Sequence, residues 1–396
     1  MNFKKFLLAS TACVALVATL TSCKGGSVVV TYTDAEGKVV TQNVTATKDS
    51  DEVSKSLNSL VEKQYEVKTA DIYSASVSAD VTLKGTASEQ AIDAKAKLSV
   101  NAVSNVPEIK EDSTVESLLA ATNEYVGITA EISGISPKNT TATTTVDDVN
   151  KVAVELFAGE GNVYLDVTEL KLPLLSSLPA GEGMTGMMLP MISTVVTNLN
   201  GKTVKLNYQT LIGMLSLTGT RVDETQINAE IQKLAKQQKD GTLTFVPADL
   251  LGSKVTKENL NTEIAKFVKN NLVEISGVSG NNVTFKMTLD MAKASAPKDT
   301  TTSTTVESPA TGKVELEVTV NVVDLSFANV KVNAKDVKIK NTIADITVNG
   351  SVEVKFEKGG TIKKIADEKK TNAKTLDEVL GGLIGGGASA APKQSE

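Results

Sequence analysis

Apolar and polar residues alternate along much of this 396-residue chain. Every second residue is apolar between positions 75 and 83, between 92 and 102 and between 314 and 322. The residues between them are Ser, Thr, Asp, Glu, Lys or Asn. Such alternation is typical of β-strands that bury one face and expose the other to water. These three tracts are therefore predicted to be strands.

Short turns separate several of the predicted strands. The segment Gly85–Gln90 is expected to close the first two tracts into a hairpin. Further apolar runs lie at 152–157 and 163–167, at 272–277 and 283–289, and at 330–332, 337–339, 343–348 and 352–356. Parallel neighbouring strands need a long connection, which is usually a helix. Loops this short therefore predict antiparallel meanders.

Four segments have the spacing of helices instead. They are 50–65, 223–239, 257–270 and a short helix that begins with the capping-box sequence Thr375-x-x-Glu378. In the first three, apolar residues recur three or four positions apart, so each helix has one apolar face. Asp49 and Ser50 can both cap the first helix. The helices are expected to pack on the apolar side of the sheet.

Together these elements predict a mainly β (α+β) fold. It would be an antiparallel, curved meander sheet or half-barrel with a few amphipathic helices on its apolar face. Two Thr-rich segments, 137–146 and 297–306, align without gaps, and each lies between predicted strands. An internal duplication would explain this match, with one β-rich unit at 49–220 and a second at 221–366. Chance similarity between low-complexity segments is the other explanation.

The first 22 residues have the features of an export signal. Two lysines precede an apolar run from residue 6 to residue 20, which is too short to span a bilayer. The run ends in Leu20-Thr21-Ser22-Cys23, which resembles the lipobox of bacterial lipoproteins. This resemblance implies cleavage before Cys23 and attachment of a diacylglyceryl group to its sulfur. An ordinary secretory signal with a chance cysteine is the alternative.

A lipid on Cys23 would place the protein at a membrane surface. Two acyl chains give stable anchoring, where one chain is marginal. The expected location is the extracytoplasmic face of the cell membrane, or the outer membrane if the host has one. Residues 23–48 are expected to form the lipidated N-terminus and a short hairpin. Residues 367–396 are expected to form a short helix and a disordered Gly-rich tail.

Composition narrows the chemistry of the body. The chain has no His, no Trp and two Cys, Cys13 inside the signal and Cys23 in the lipobox. This excludes His-dependent catalysis and ordinary zinc sites, and no cofactor or metal site is predicted. With a net charge of −6 and 4% aromatic residues, no nucleic-acid partner is predicted. The protein is not expected to be an enzyme, since paired acids at 147–148 and 377–378 fit solvated loops or helix starts.

One glycine pattern typical of nucleotide-binding sites occurs, but without the strand and the acidic residue that such sites require. The segment Gly181–Gly186 has the spacing G-x-G-x-x-G. That pattern binds a pyrophosphate only between a strand and a helix, with an acidic residue about 20 positions later. No strand is predicted before it, and no Asp or Glu occurs between 187 and 222. A dinucleotide site is therefore not predicted.

The segment 172–198 is apolar, is punctuated by Pro and Gly, and contains four of the eight methionines. Its candidate ligand-binding residues are Met184, Met187, Met188, Leu189, Met191 and Ile192. Methionine is flexible and polarisable, so a cluster of methionines suits a surface that adapts to apolar ligands. The segment is interpreted either as a lid over an acyl-chain cavity or as a helix packed in the core.

Lipobox, helix, antiparallel strands and an apolar insertion together resemble the LolA/LppX type of lipoprotein carrier. In that type, a curved sheet wraps around helices and holds acyl chains. The resemblance implies a membrane-anchored lipoprotein that binds or carries lipid or another apolar ligand, but it rests on no residue motif, so no binding residues follow from it. The alternative is a cell-surface structural or interaction lipoprotein with no small-molecule ligand. No particular protein partner is predicted.

Overall fold

The fold is known from a computed structural model. It describes residues 27–33, 39–87, 90–134, 149–173, 193–206, 224–246, 259–294, 310–324, 326–340 and 344–380. The strands are β1 (Ser27–Thr33), β2 (Val39–Thr45), β3 (Tyr65–Lys68), β4 (Ile72–Ala87), β5 (Gln90–Asn105), β6 (Glu124–Ser133), β7 (Asn150–Gly159), β8 (Asn162–Lys171), β9 (Thr203–Leu206), β10 (Gln238–Lys239), β11 (Thr242–Phe245), β12 (Glu274–Ser279), β13 (Asn282–Asp290), β14 (Ala310–Asn321), β15 (Phe327–Lys340), β16 (Ala344–Lys358) and β17 (Lys374–Thr375).

Helices are fewer and mostly short. They are α1 (Ser50–Glu62), α2 (Val115–Ala121), α3 (Glu224–Gln237), α4 (Leu260–Asn271), α5 (Met291–Ala294), α6 (Asp367–Asn372) and α7 (Leu376–Leu380). Residues 193–199 are also helical. Among the described residues, no helix combines the length and the apolar character needed to cross a bilayer.

Within the described residues, twelve strands form one curved, open sheet. Their order is β12-β13-β14-β15-β16-β4-β5-β6-β7-β8-β9-β17. All neighbours pair antiparallel except β17, which pairs parallel with β9. The order consists of two meanders, β12 to β16 and β4 to β9, which are joined because β16 pairs with β4. The predicted mainly β, antiparallel and curved architecture is therefore confirmed.

The pairing of β4 with β16 requires a glycine. Gly85 has φ +146°, and a Cβ at this position would lie 2.0 Å from the carbonyl oxygen of Asp345. The prediction that Gly85–Gln90 forms the hairpin turn is wrong in extent, because β4 continues to Ala87, which pairs with Gln90. Gly85 is therefore needed for the close approach of β16 and not for a turn.

A β-bulge explains why the apolar alternation in β15 changes phase. The predicted runs 330–332 and 337–339 belong to this one strand. The register shifts between Ala334 and Val337, and Asp336 has φ 49°. The extra residue lets Val332 and Val337 lie on the same face although one position number is even and the other odd. The backbone N–H of Asp336 donates to Asn349 Oδ1 at 2.8 Å.

The helices α1 and α4 pack on the apolar face, as predicted. The Asp49 side chain caps α1 by accepting from the backbone N–H groups of Asp51 and Glu52. Val53 of α1 and Val268 of α4 are almost fully buried in the same core as β13 and β14. Helix α3 differs from this expectation, because its main contacts are with α2, β10 and β11.

Several small elements were not predicted, because their sequences show no strong alternation or helical spacing of apolar residues. Helix α2 begins with a capping box between Thr114 and Ser117. Strands β10, β11 and β3 form a separate three-stranded sheet. The β1–β2 hairpin, which was expected within residues 23–48, continues into an isolated bridge between Thr47 and Ile275 at the edge of the large sheet. The two Thr-rich segments lie outside the described residues, so the duplication stays a prediction.

Candidate functional site

One face of the large sheet is apolar across nearly all of its strands. Directly opposed residues of neighbouring strands lie on the same face of a sheet. One such row consists of Ile275, Phe285, Val318, Val330, Val354, Val77, Val100, Ile128, Val154 and Val167. It runs from β12 to β8 without a polar side chain.

Both ends of this apolar face are covered by other parts of the chain. Over β12 to β15, helices α1 and α4 complete a core in which Val283 and Val318 are almost fully buried. Over β7 to β9, Leu199 and Val379 pack against Val204. The two cores lie on the same face, with strands β16, β4, β5 and β6 between them.

The apolar face is only partly covered between the two cores. We call this part the central strip. Its residues are Val352, Val354, Val77, Ala79, Val81, Leu98, Val100, Ile128, Ala130 and Ile132. All are partly accessible, and Leu98 and Ile132 are 37% and 39% exposed. A contiguous accessible apolar surface between well-packed regions is typical of an interaction or ligand-binding site.

A row of polar residues ends the central strip on one side. Lys358 of β16 pairs with Tyr73 of β4, which pairs with Ser104 of β5, which in turn pairs with Glu124 of β6. We call these four residues the polar end row. Each lies an even number of positions from an apolar residue of its own strand, so the row belongs to the same face as the strip.

Tyr73 connects the polar end row to the apolar face. Its ring stacks on Phe356 with 5.3 Å between centroids. Its hydroxyl donates to Asp71 Oδ2 at 3.5 Å, and the same carboxylate oxygen is 2.7 Å from Lys358 Nζ. Burial and the Asp71 carboxylate raise the pKa of Tyr73 to about 12. The hydroxyl therefore stays protonated and remains a hydrogen-bond donor.

Glu124 lies at the other end of this row in apolar surroundings. Its partner on β7 is Ala158, which packs against the second core. Burial raises the pKa of the Glu124 carboxyl. Within the described residues, this carboxyl has no hydrogen-bond or ion-pair partner. Glu124 is only partly buried, so its unpaired carboxyl group can accept a hydrogen bond from a cationic ligand group.

The opposite face of the sheet is polar and carries ion pairs between neighbouring strands. Lys97 lies 3.9 Å from Asp80, and Lys151 lies 3.2 Å from Glu131. These side chains are largely exposed, so each pair adds little stability. This face has the features of a solvated surface.

The C-terminal segment crosses the polar face and fastens to β7 and β8. Ile365 is buried against Phe157 and Tyr164. Lys369 forms an ion pair with Asp166, whose side chain also accepts from Thr203 Oγ1 at 2.7 Å. The segment then adds β17 to the edge of the sheet. Over β4 to β8, the described part of this segment lies on the polar face and not on the central strip.

A separate cleft of about 580 Å³ lies where α4 ends beside β12. Its charged lining includes Lys48 and Glu274, whose side chains form an ion pair at 3.0 Å. Leu272, which ends α4 at φ 50°, borders the cleft and is 81% exposed. Lys269 and Lys286 also line the cleft, and this mixed polar lining makes it a weaker candidate for an apolar ligand than the central strip.

The residues predicted to be functional fall outside the described structure. These are Cys23 and the Met-rich candidates Met184, Met187, Met188, Leu189, Met191 and Ile192. The structure therefore neither groups them nor separates them. Sequence reasoning missed the polar end row, although Asp71 and Tyr73 directly precede the alternating tract that forms β4.

The acidic side chains considered as candidates for metal binding or catalysis do not form a site among the described residues. The described residues contain no group of acidic or cysteine side chains that could hold a metal ion. Glu378 caps α7, because its carboxylate accepts from the backbone N–H of Thr375 at 2.7 Å. Comparison with known proteins adds no identification, since no protein family matches the sequence and no curated protein matches it.

Proposed function

We propose that this protein is a membrane-anchored extracytoplasmic lipoprotein that binds or carries lipid or another apolar ligand on the central strip. The observation that carries the proposal is the partly covered apolar surface between two packed cores. The lipobox sequence Leu20-Thr21-Ser22-Cys23 supports the anchor. An apolar ligand on the strip would remove this surface from water.

The size of the central strip suits an acyl chain. On β4 the strip runs from Val77 to Val81, which spans about 13 Å at the usual rise per residue of a strand. One leaflet contributes about half of a 30 Å hydrocarbon core. The strip is therefore nearly as long as the part of an acyl chain that one leaflet accommodates. Each 100 Å² of apolar surface covered in this way contributes about 2.5 kcal/mol before the costs of binding.

The proposal is tested with two substitutions at neighbouring positions of β4. Ala79 lies on the central strip between Val352 and Leu98, whereas Ser78 is exposed on the polar face. The variant Ala79→Phe would fill the strip, and Ser78→Phe adds the same side chain to the other face. Both are made in the chain from residue 23 onward with Cys23→Ser, which contains every described residue.

Native mass spectrometry after detergent-free purification gives the readout. The parent chain and Ser78→Phe are expected to carry bound lipid, and Ala79→Phe is expected to lose at least about nine-tenths of it. A fluorescent fatty-acid analogue should show the same order of affinities. A lipid-free parent chain that also fails to bind the analogue would reject the carrier proposal in favour of a structural or interaction role at the cell surface.

A further inference from the structure

The polar end row places unlike charges beside the central strip. Lys358 supplies an ammonium group, and Asp71 and Glu124 supply carboxyl groups. With strands about 4.8 Å apart, Tyr73 and Glu124 are separated by about 10 Å across the sheet. The row therefore has a donor end at Lys358 and Tyr73 and an acceptor end at Glu124.

The donor end has unused hydrogen-bonding capacity. A lysine ammonium has three donors, and among the described residues the Lys358 ammonium has one close partner, Asp71 Oδ2 at 2.7 Å. The Tyr73 hydroxyl is 3.5 Å from the same oxygen, far beyond the usual 2.7–2.8 Å of such bonds. Both groups can donate to an anionic oxygen at little cost, because neither would give up a strong bond.

The acceptor end favours a cation. The Glu124 carboxyl has no partner among the described residues and is bordered by Ala158 and Val126. An ammonium group there would form a charge-assisted hydrogen bond, and such bonds are the stronger kind. A head group with no cation would not form this contact.

We infer that the polar end row recognises the zwitterionic head group of an amine-bearing phospholipid, with the phosphate at Lys358 and Tyr73 and the ammonium at Glu124. This inference rests on the proposed function, because it assigns the head group of a lipid whose acyl chain lies on the central strip. It adds a selectivity that apolar contacts alone do not provide.

The test compares two lysophospholipids that share one acyl chain and differ in the head group, ethanolamine or glycerol. Isothermal titration calorimetry with the chain from residue 23 onward is expected to give about tenfold tighter binding of the ethanolamine lipid, which corresponds to one charge-assisted contact. Glu124→Gln should abolish this preference and leave the affinity for the glycerol lipid within about twofold. The control Glu131→Gln, an exposed acid on the polar face of the same strand, should retain the preference.

A second variant tests the donor end. Lys358→Met should weaken the binding of both lipids about tenfold, because both carry a phosphate. The control Lys95→Met, on the exposed face of β5, should change the affinity for neither lipid. Equal affinity of the unsubstituted chain for both lipids, or an unchanged preference in Glu124→Gln, would overturn the head-group inference alone. Failure of both lipids to bind the unsubstituted chain would overturn the proposed function itself.

Discussion

At the scale of single residues, Glu317 is a buried carboxyl on the polar face of the sheet. It is 2% exposed and lies between Lys286 of β13 and Lys331 of β15. Burial raises the pKa of Glu317 to about 7, although both lysines act to lower it. Its Oε2 atom has no hydrogen-bond partner among the described residues. A charged carboxylate at this position is therefore unfavourable.

This burial predicts a pH-dependent stability. The folded state binds the Glu317 proton more tightly than the unfolded chain, so the contribution of Glu317 to stability is fully present below about pH 4.5 and is lost as the pH rises through about 7. Urea denaturation should show that Glu317→Gln raises the free energy of unfolding at pH 8 by about 1–3 kcal/mol and has little effect at pH 4.5. Glu315→Gln, a neighbour with a more exposed side chain, should change the pH profile little. An unaltered profile in Glu317→Gln would contradict the assignment.

At the scale of elements, the alternating tracts located the long strands because one face of each is apolar. The helices α1 and α4 were predictable from apolar spacing and from the capping residue Asp49. Partners that are far apart in sequence were not predictable, since nothing local in β4 indicates that it pairs with β16. The polar end row was missed for the same reason, because Tyr73 and Glu124 share a row only through the registers of β5 with both neighbours.

The pairing of β4 with β16, which connects the two meanders, should depend on Gly85. Gly85→Ala would force the backbone near Asp345 to move, and we expect a loss of about 2–4 kcal/mol in the free energy of unfolding. Gly280→Ala is the matched control, because Gly280 has φ +56° but open space around the added Cβ, so about 1 kcal/mol should be lost. Similar losses measured by urea denaturation for both variants would show that close strand approach at Gly85 does not matter.

At the scale of the whole molecule, the proposed lipid anchor and the proposed ligand-binding sheet would have separate tasks. The described body begins with β1 at Ser27, four residues after Cys23. A fully extended linker of that length reaches about 14 Å. If Cys23 carries lipid, the body is therefore held close to the bilayer.

The two cysteines allow a clean test of the anchor. Cys23→Ser should abolish labelling by a palmitate analogue and move the protein from the membrane fraction to the soluble or secreted fraction, because the lipid is lost. Cys13→Ser changes only the apolar core of the signal and should remain labelled and membrane-bound. Membrane association that survives Cys23→Ser would refute lipid anchoring at this residue.

The pairing of β4 with β16 also sets an order of assembly. These strands come from opposite ends of the described chain, so the middle of the sheet cannot form until almost all of the polypeptide has been synthesised. Contacts between such distant segments form slowly. Until then, each meander has an unpaired edge that could join the corresponding edge of another copy. The newly made chain therefore has a period of vulnerability to aggregation that ends only when its last long strand is in place.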